Sequence, residues 1–147
     1  MAAILVISKS LQNSGALDVV TKWMDRVGPS QTVQLLVLMG LVAVCSAFIN
    51  NVGALALFMP VAIAVARKHG RPPSAYLMPL AFGSLLGGMT TLTGTPPNII
   101  IATFRESAGA GVFKMFDFTL VGIGVAVAGV LFVSLAGWRL IPQRKGP

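Results

Sequence analysis

VQLLVLMGLVAVCSAFINNVGALALFMPVAIAVA, Val33 to Ala66, is an uncharged stretch with a polar break at its centre. Apolar residues run from Val33 to Phe48, meet Asn50, Asn51 and Gly53, and resume from Leu55 to Ala66. The full charge-free run, 27–66, has 40 residues, whereas a hydrocarbon core of about 30 Å takes roughly 20 helical residues. It is too long for one straight helix and must break or fold back. Two arms of about 16 residues would each reach about 24 Å at 1.5 Å per residue, short of a full crossing. The reading is a re-entrant helical hairpin over 33–66, with its tip at Asn50 to Gly53 near mid-membrane. Non-helical backbone at that depth is tolerated only where protein or a water-filled cavity supplies hydrogen-bond partners, so the tip should line a site.

Moving outward, the next charge-free run, 72–104, has 33 residues and repeats the theme. Tyr76 to Leu86 is helix-like, GGMTTLTGTPPN (Gly87 to Asn98) cannot continue a regular helix, and Ile99 to Phe104 restart it. Pro96 and Pro97 remove two backbone donors, while Gly87, Gly88 and Gly94 permit angles other residues resist. This predicts a discontinuous membrane helix over 75–105. A third run, 118–138, has 21 residues and fits one span within a helix over 118–139. At the other end, Ala2 to Leu17 is apolar but carries Lys9, Gln12, Asn13 and Ser14, which reads as part of a polar-flecked membrane helix over 2–25. No basic region precedes AAILVI, so a signal peptide is not expected. The fold class is an all-α polytopic membrane protein, one domain over 1–147, with a re-entrant hairpin and a broken helix. Paired interrupted apolar segments are a sequence pointer to a transporter site near the midplane.

Composition agrees. Of 147 residues, 55% are hydrophobic and 10% charged, against roughly 25% charged in a soluble domain. With mean hydropathy +0.83, a soluble enzyme is excluded. The formal charge of +7 falls in clumps between apolar runs, so it reads as a topology signal and not as a nucleic-acid surface. Lys22, Arg26, Arg67, Lys68, Arg71, Arg139, Arg144 and Lys145 share one face in this topology, opposite Arg105 and Lys114. The first face is therefore expected in the cytoplasm and the chain in the plasma membrane. Cys45 and His69 stand alone, which removes disulfides and any Cys/His metal cluster. His69, beside Arg67 and Lys68, reads as a loop residue. No phosphate-cradling or nucleophile–base arrangement is present, so no catalytic residues are assigned. Gly83 with Gly87 and Gly122 with Ala126 read as small-residue packing steps.

The two breaks carry the chemistry. Sodium prefers hard oxygen ligands, which Ser46 and Asn51 side chains and carbonyls freed near Asn50 and Gly88 can supply. Half-helix N-termini near Val52 and Asn98 present free N–H groups suited to a carboxylate or sulfate. No Arg or Lys lies at either break, so the cation itself would help neutralise the anion.

SAFINNVGALALFMPVAIAVARKHG (Ser46 to Gly70) and LLGGMTTLTGTPPNIIIATF (Leu85 to Phe104) resemble the divalent-anion/sodium symporters and their citrate-transporter-like relatives in the ion transporter superfamily. FDFTLVGIGVAVAGV, from Phe116 on, resembles the helix that follows the site in those permeases. The resemblance implies a hairpin with a Ser-Asn-Thr tip, a broken helix ending in GTPPN, an elevator mechanism and two inverted repeats, of which this chain matches the first from roughly Ala3 to Pro142. Carried over by position, Asn50, Asn51 and Val52 occupy the tip, and Ser46 falls one turn earlier, where relatives place a sodium ligand. Gly87, Gly88, Thr93, Gly94 and Thr95 match the loop that completes the sodium site. Val52 departs from the pattern, since a Thr hydroxyl is missing. The expected sodium set is Ser46, Asn50, Asn51, Gly88 and Thr93, and the expected anion set is Asn51, Val52, Thr95, Pro96 and Asn98. Na+ is the expected coupling ion, with no organic cofactor. The expected partners are the lipid bilayer, a small anion, and the missing second repeat or a second copy in a homo-oligomer. The competing reading is a small non-transporting membrane protein that partners other helices. The residues leave open sulfate, dicarboxylate or citrate as substrate.

Overall fold

The structure, a computed structural model, describes residues 28–140 together with Val6, Ser10, Lys22 and Arg26. The helix expected over 2–25 thus falls almost wholly outside the described residues, as do Arg144 and Lys145. Among the described residues every regular element is helical. The elements are α1 (Gln31–Ile49), α2 (Asn51–Lys68), α3 (Ser74–Gly88), α4 (Pro96–Ser107) and α5 (Thr119–Phe132). A π-helical turn, Val133–Gly137, and a final short helix, Trp138–Leu140, extend α5.

Asn50 alone separates α1 from α2, at φ 81° and ψ 143°. Positive φ is uncommon outside glycine, and Asn is among the residues that accept it best. Its carbonyl receives the Ala54 N–H at 3.0 Å, which starts α2 immediately. Gln34 meets His69 at one end and Ser46 meets Asn51 at the other, so α1 and α2 form an antiparallel hairpin. Leu35, Leu38 and Val42 of α1 pack with Val61, Ala62, Val65 and Ala66 of α2 and with Ala75, Tyr76 and Leu80 of α3 in one buried cluster.

Both arms are longer than the sequence suggested. α1 has 19 residues and α2 has 18, about 28 and 27 Å at helical rise. α1 starts at Gln31, ahead of the apolar run, and α2 continues through Arg67 and Lys68, whose charges complement the carbonyl end of the helix. Each arm, like Thr119–Gly137, is long and apolar enough to cross a membrane. The length argument for a re-entrant hairpin therefore fails.

Small residues fix how α3 docks. A Cβ on Gly87 would lie 2.1 Å from the Ala43 carbonyl oxygen, and one on Gly83 would lie 3.0 Å from Val42 Cγ1. These two positions let the α3 backbone lie directly on α1. Gly122 and Ala126 are the buried residues of α5, and a Cβ on Gly122 would lie 2.6 Å from Thr90 Cα. The rest of α5 turns outward, with Leu120 89% and Val121 70% exposed, a surface suited to lipid or further protein. This packing brings the break between α3 and α4 against the break between α1 and α2.

Candidate ion-binding site

The tip of the hairpin and the loop after α3 meet around the Asn51 carboxamide. Ser46, one turn before the link, is fully buried and its hydroxyl donates to the Ser84 carbonyl at 2.6 Å. Ser84, also buried, donates its own hydroxyl to the Asn51 backbone carbonyl at 2.6 Å. The two hydroxyls thus tie α1, α2 and α3 together at one point.

Asn51 can be read in two amide orientations, which electron-rich neighbours distinguish. With nitrogen inward, the amide donates to the Ser84 carbonyl (3.1 Å), Ser46 Oγ (2.8 Å) and the Gly94 carbonyl (3.1 Å), and its oxygen accepts from Thr95 Oγ1 (3.2 Å). The two hydrogens of this nitrogen are shared among the three acceptors, and the carboxamide oxygen meets a donor. With oxygen inward, Asn51 Oδ1, Ser46 Oγ and the carbonyls of Ser84 and Gly94 face one another as a set of oxygens. Ser46 can then give a hydrogen bond to Asn51 Oδ1 at 2.8 Å, and the amide nitrogen donates to Thr95 Oγ1 at 3.2 Å. A group of hard, uncharged oxygens with more acceptors than donors is the donor set of an alkali or alkaline-earth cation.

Glycines make the approach possible. A Cβ on Gly88 would lie 1.9 Å from Asn51 Oδ1, and one on Gly94 would lie 2.4 Å from the Gly88 carbonyl oxygen. Threonine and asparagine side chains then hold the loop in place of a helix. Thr91 Oγ1 donates to the Ala47 carbonyl and accepts the Gly94 N–H at 3.1 Å. The Asn98 amide donates to the Thr91 carbonyl at 2.8 Å, and Thr119 Oγ1 donates to the Thr90 carbonyl at 2.8 Å. Each of these replaces a backbone bond that Pro96, Pro97 and the helix break remove.

The structure divides the residues named from sequence. Ser46, Asn51, Gly88 and Thr95 come together. Asn98 is buried, but its amide is engaged in holding the loop. The Asn50 side chain is exposed, because this residue is the link itself, and Thr93 is exposed on the far side of the loop. Val52, 59% exposed, and Pro96 face outward. At the start of α4, Pro96 and Pro97 have no N–H and the Asn98 N–H goes to the Thr95 carbonyl at 3.2 Å. That helix end offers fewer free donors than its position suggested. Sequence reasoning missed Ser84. Its signal was present: a hydroxyl among apolar neighbours in the second half of the helix, one residue after Gly83 and four before Gly88.

No carboxylate, lysine or arginine takes part in this cluster, and among the described residues no group of three His, Cys, Asp or Glu side chains could hold a metal. A separate groove of about 480 Å³ runs between α1, α3 and α5. Its walls, including Leu36, Val44, Phe48, Ile123 and Val127, are hydrocarbon, and it touches the loop only at its back, at Thr90 and Thr91. It has no chemistry for an ion.

The citrate transporter family matches across residues 1–147. The uncharacterized transporter YfbS of Escherichia coli is 35% identical over 99% of this chain and 25% of its own length. The uncharacterized transporter sll0640 of Synechocystis is 31% identical over 97% of the chain and 24% of its own length. A probable sodium/sulfate cotransporter 3 of Chlamydomonas reinhardtii is 28% identical over 92% of the chain and 16% of its own length. The chain thus spans about a quarter, or less, of these relatives. No solved structure matches it.

Proposed function

The chain belongs to the citrate transporter family, and from that premise we propose that it supplies the sodium-binding half-site of a secondary transporter for a small inorganic or carboxylate anion. The observation that carries the proposal is the convergence of Ser46 Oγ, the Ser84 and Gly94 carbonyls and the Asn51 carboxamide on one point. In this reading sodium binds when the Asn51 amide turns its oxygen inward. The inward N–H groups that satisfied the two carbonyls are then replaced by the cation. The exchange needs no charged side chain, which suits an ion that must leave again. The sodium/sulfate cotransporters of Chlamydomonas reinhardtii among the relatives support both the coupling ion and the anion class.

The anion sits beside the ion, where the first turn of α2 (Asn51, Val52) and the Thr95 hydroxyl supply neutral donors and sodium supplies the charge. Because α4 begins with two prolines, its N-terminus is the weaker contributor. The hairpin enters from the cytoplasmic face of the plasma membrane, where Arg67, Lys68 and Arg71 lie, and tilting of its long arms brings the Asn51 tip towards the midplane, where α3 and the loop after it supply hydrogen-bond partners for the non-helical backbone. The remainder of the transporter, a second inverted repeat, closes the site from the other side and lets it move in an elevator-type cycle. This chain alone does not transport.

The test is uptake of labelled sulfate, citrate and a dicarboxylate by cells expressing the full-length protein that carries this chain, in sodium and in potassium medium. Sodium-dependent uptake of one anion, lost in Ser46→Ala and Ser84→Ala while membrane expression persists, is expected. Uptake that is equal in both media would overturn sodium coupling, and uptake unaffected by either substitution would overturn the assigned site.

A further inference from the structure

The loop 89–95, which carries the Gly94 carbonyl to the ion cluster, is held from two sides. Three consecutive residues, Thr90, Thr91 and Leu92, are tied alternately to α5 and to α1. Towards α1, Thr91 Oγ1 donates to the Ala47 carbonyl and accepts the Gly94 N–H at 3.1 Å. Towards α5, Thr119 Oγ1, on the first residue of that helix, donates to the Thr90 carbonyl at 2.8 Å. The Leu92 N–H goes to the Met115 carbonyl at 3.0 Å, in the turn before α5.

Backbone contact reinforces the Thr119 bond. Gly122 lies three residues on, on the same face of α5, and a Cβ there would lie 2.6 Å from Thr90 Cα. The hydroxyl and the bare backbone therefore seat one residue of the loop. Thr90 is buried, and its own hydroxyl is engaged with the Gly87 carbonyl at 2.7 Å. Beside it are the hydrocarbon walls of the groove, Val44, Phe48 and Ile123. Removing the Thr119 hydroxyl takes a donor from a carbonyl in apolar surroundings, where an unpaired acceptor is costly. Relief comes by turning the Thr90–Thr91 peptide, and that carries Thr91 Oγ1 away from the Gly94 N–H.

We propose that the first turn of α5 is a strut for the ion loop and that Thr119 is a positioning residue for the cation. Its hydroxyl fixes the Thr90–Thr91 peptide, Thr91 fixes Gly94, and the Gly94 carbonyl thereby faces the Asn51 carboxamide at 3.1 Å. Thr119 touches neither ion nor anion. It acts on affinity, because a cation gains most from oxygens that are already in place. The inference rests on the sodium reading of the cluster and adds to it a helix that contributes no ligand.

The test is a sodium chloride titration of the purified full-length protein that carries this chain, in nanodiscs, with potassium chloride holding the ionic strength. Hydrogen exchange of amides 88–95 gives the sodium concentration for half-maximal protection. Thr119→Val keeps the shape of the side chain without the donor, Thr119→Ala removes the donor with less bulk, and Thr119→Ser retains it. In the Val and Ala variants half-maximal protection should need roughly tenfold more sodium, the loss typical of an outer contact to a metal ligand. Protection at saturating sodium should still reach that of wild type, which a general loss of structure would not allow. Thr119→Ser should titrate as wild type does, and so should Leu120→Ala, at the neighbouring residue that is 89% exposed. An unchanged half-point in both Val and Ala variants, or protection that saturating sodium cannot restore, would overturn the strut. Wild-type protection that is the same in sodium and potassium would overturn the sodium reading beneath it.

Discussion

The two ends of the α1–α2 hairpin hold buried polar networks of opposite character. At the tip, Ser46 Oγ, the Asn51 carboxamide and the Ser84 and Gly94 carbonyls come together beside the two helix breaks. At the far end, Gln34, His69, Arg71 and Tyr76 match donor to acceptor through long side chains. The first is satisfied when the Asn51 nitrogen faces inward, and turning that amide leaves a surplus of oxygen. The second is satisfied as it stands, in one orientation of each side chain. The difference teaches that polarity inside a membrane helix bundle is not one signal: the donor–acceptor balance decides which species can enter.

The largest effect that would break this contrast lies between the two ends. Gly87→Ala puts a Cβ 2.1 Å from the Ala43 carbonyl oxygen, a backbone contact that cannot give way. It should separate α3 from α1 and dismantle both networks together, at a cost of more than about 3 kcal/mol, read as loss of the cooperative thermal transition by circular dichroism. Gly83→Ala, at 3.0 Å from a Val42 methyl, should cost far less in the same assay. Ser46→Ala acts on the tip alone. It should weaken sodium binding on the order of tenfold to a hundredfold and cost about 1 kcal/mol through the lost hydroxyl hydrogen bond, measured by sodium titration and by thermal unfolding. Tyr76→Phe acts on the far end alone. It should cost about 1–2 kcal/mol through the lost hydroxyl with sodium binding unchanged, so a changed sodium affinity would show the two ends to be coupled. Thr93→Ala should be silent in both assays, within about 0.5 kcal/mol, because Thr93 is exposed on the loop.

How far the sequence reached follows the same division. The tip was legible because breaks are written in residue types: Asn50, Asn51 and Gly53 interrupt one apolar run, and Gly88, Gly94, Pro96 and Pro97 interrupt the other. Ser46 could be reached by counting back one helical turn. The arms exceed the apolar run because a helix end needs no apolar residue: the Ser30 carbonyl already accepts the Gln34 N–H, and Arg67 and Lys68 sit favourably at the carbonyl end of α2. Within the site, side-chain direction was the missing information. Asn50 and Asn51 are adjacent and identical, yet the link geometry sends one outward and the other into the cluster. Ser84 was passed over because a hydroxyl among apolar neighbours has no pattern until its partner is known. The far-end network was harder still: Gln34 and Tyr76 lie on two helices and His69 on the turn after a third, and only the fold brings them within hydrogen-bond distance.

The central claim, that the Asn51 carboxamide turns its oxygen onto sodium, can be observed at the group itself. The chain contains four asparagines, Asn13, Asn50, Asn51 and Asn98, so ¹⁵N-asparagine labelling gives four side-chain amide signals, and Asn51→Ala assigns the one that matters. Titration with sodium chloride in nanodiscs, against potassium chloride at the same ionic strength, should move the Asn51 amide signal saturably in sodium only, leave that of Asn50 in place, and have no effect in Ser46→Ala. Superimposable Asn51 signals in the two salts would contradict the account.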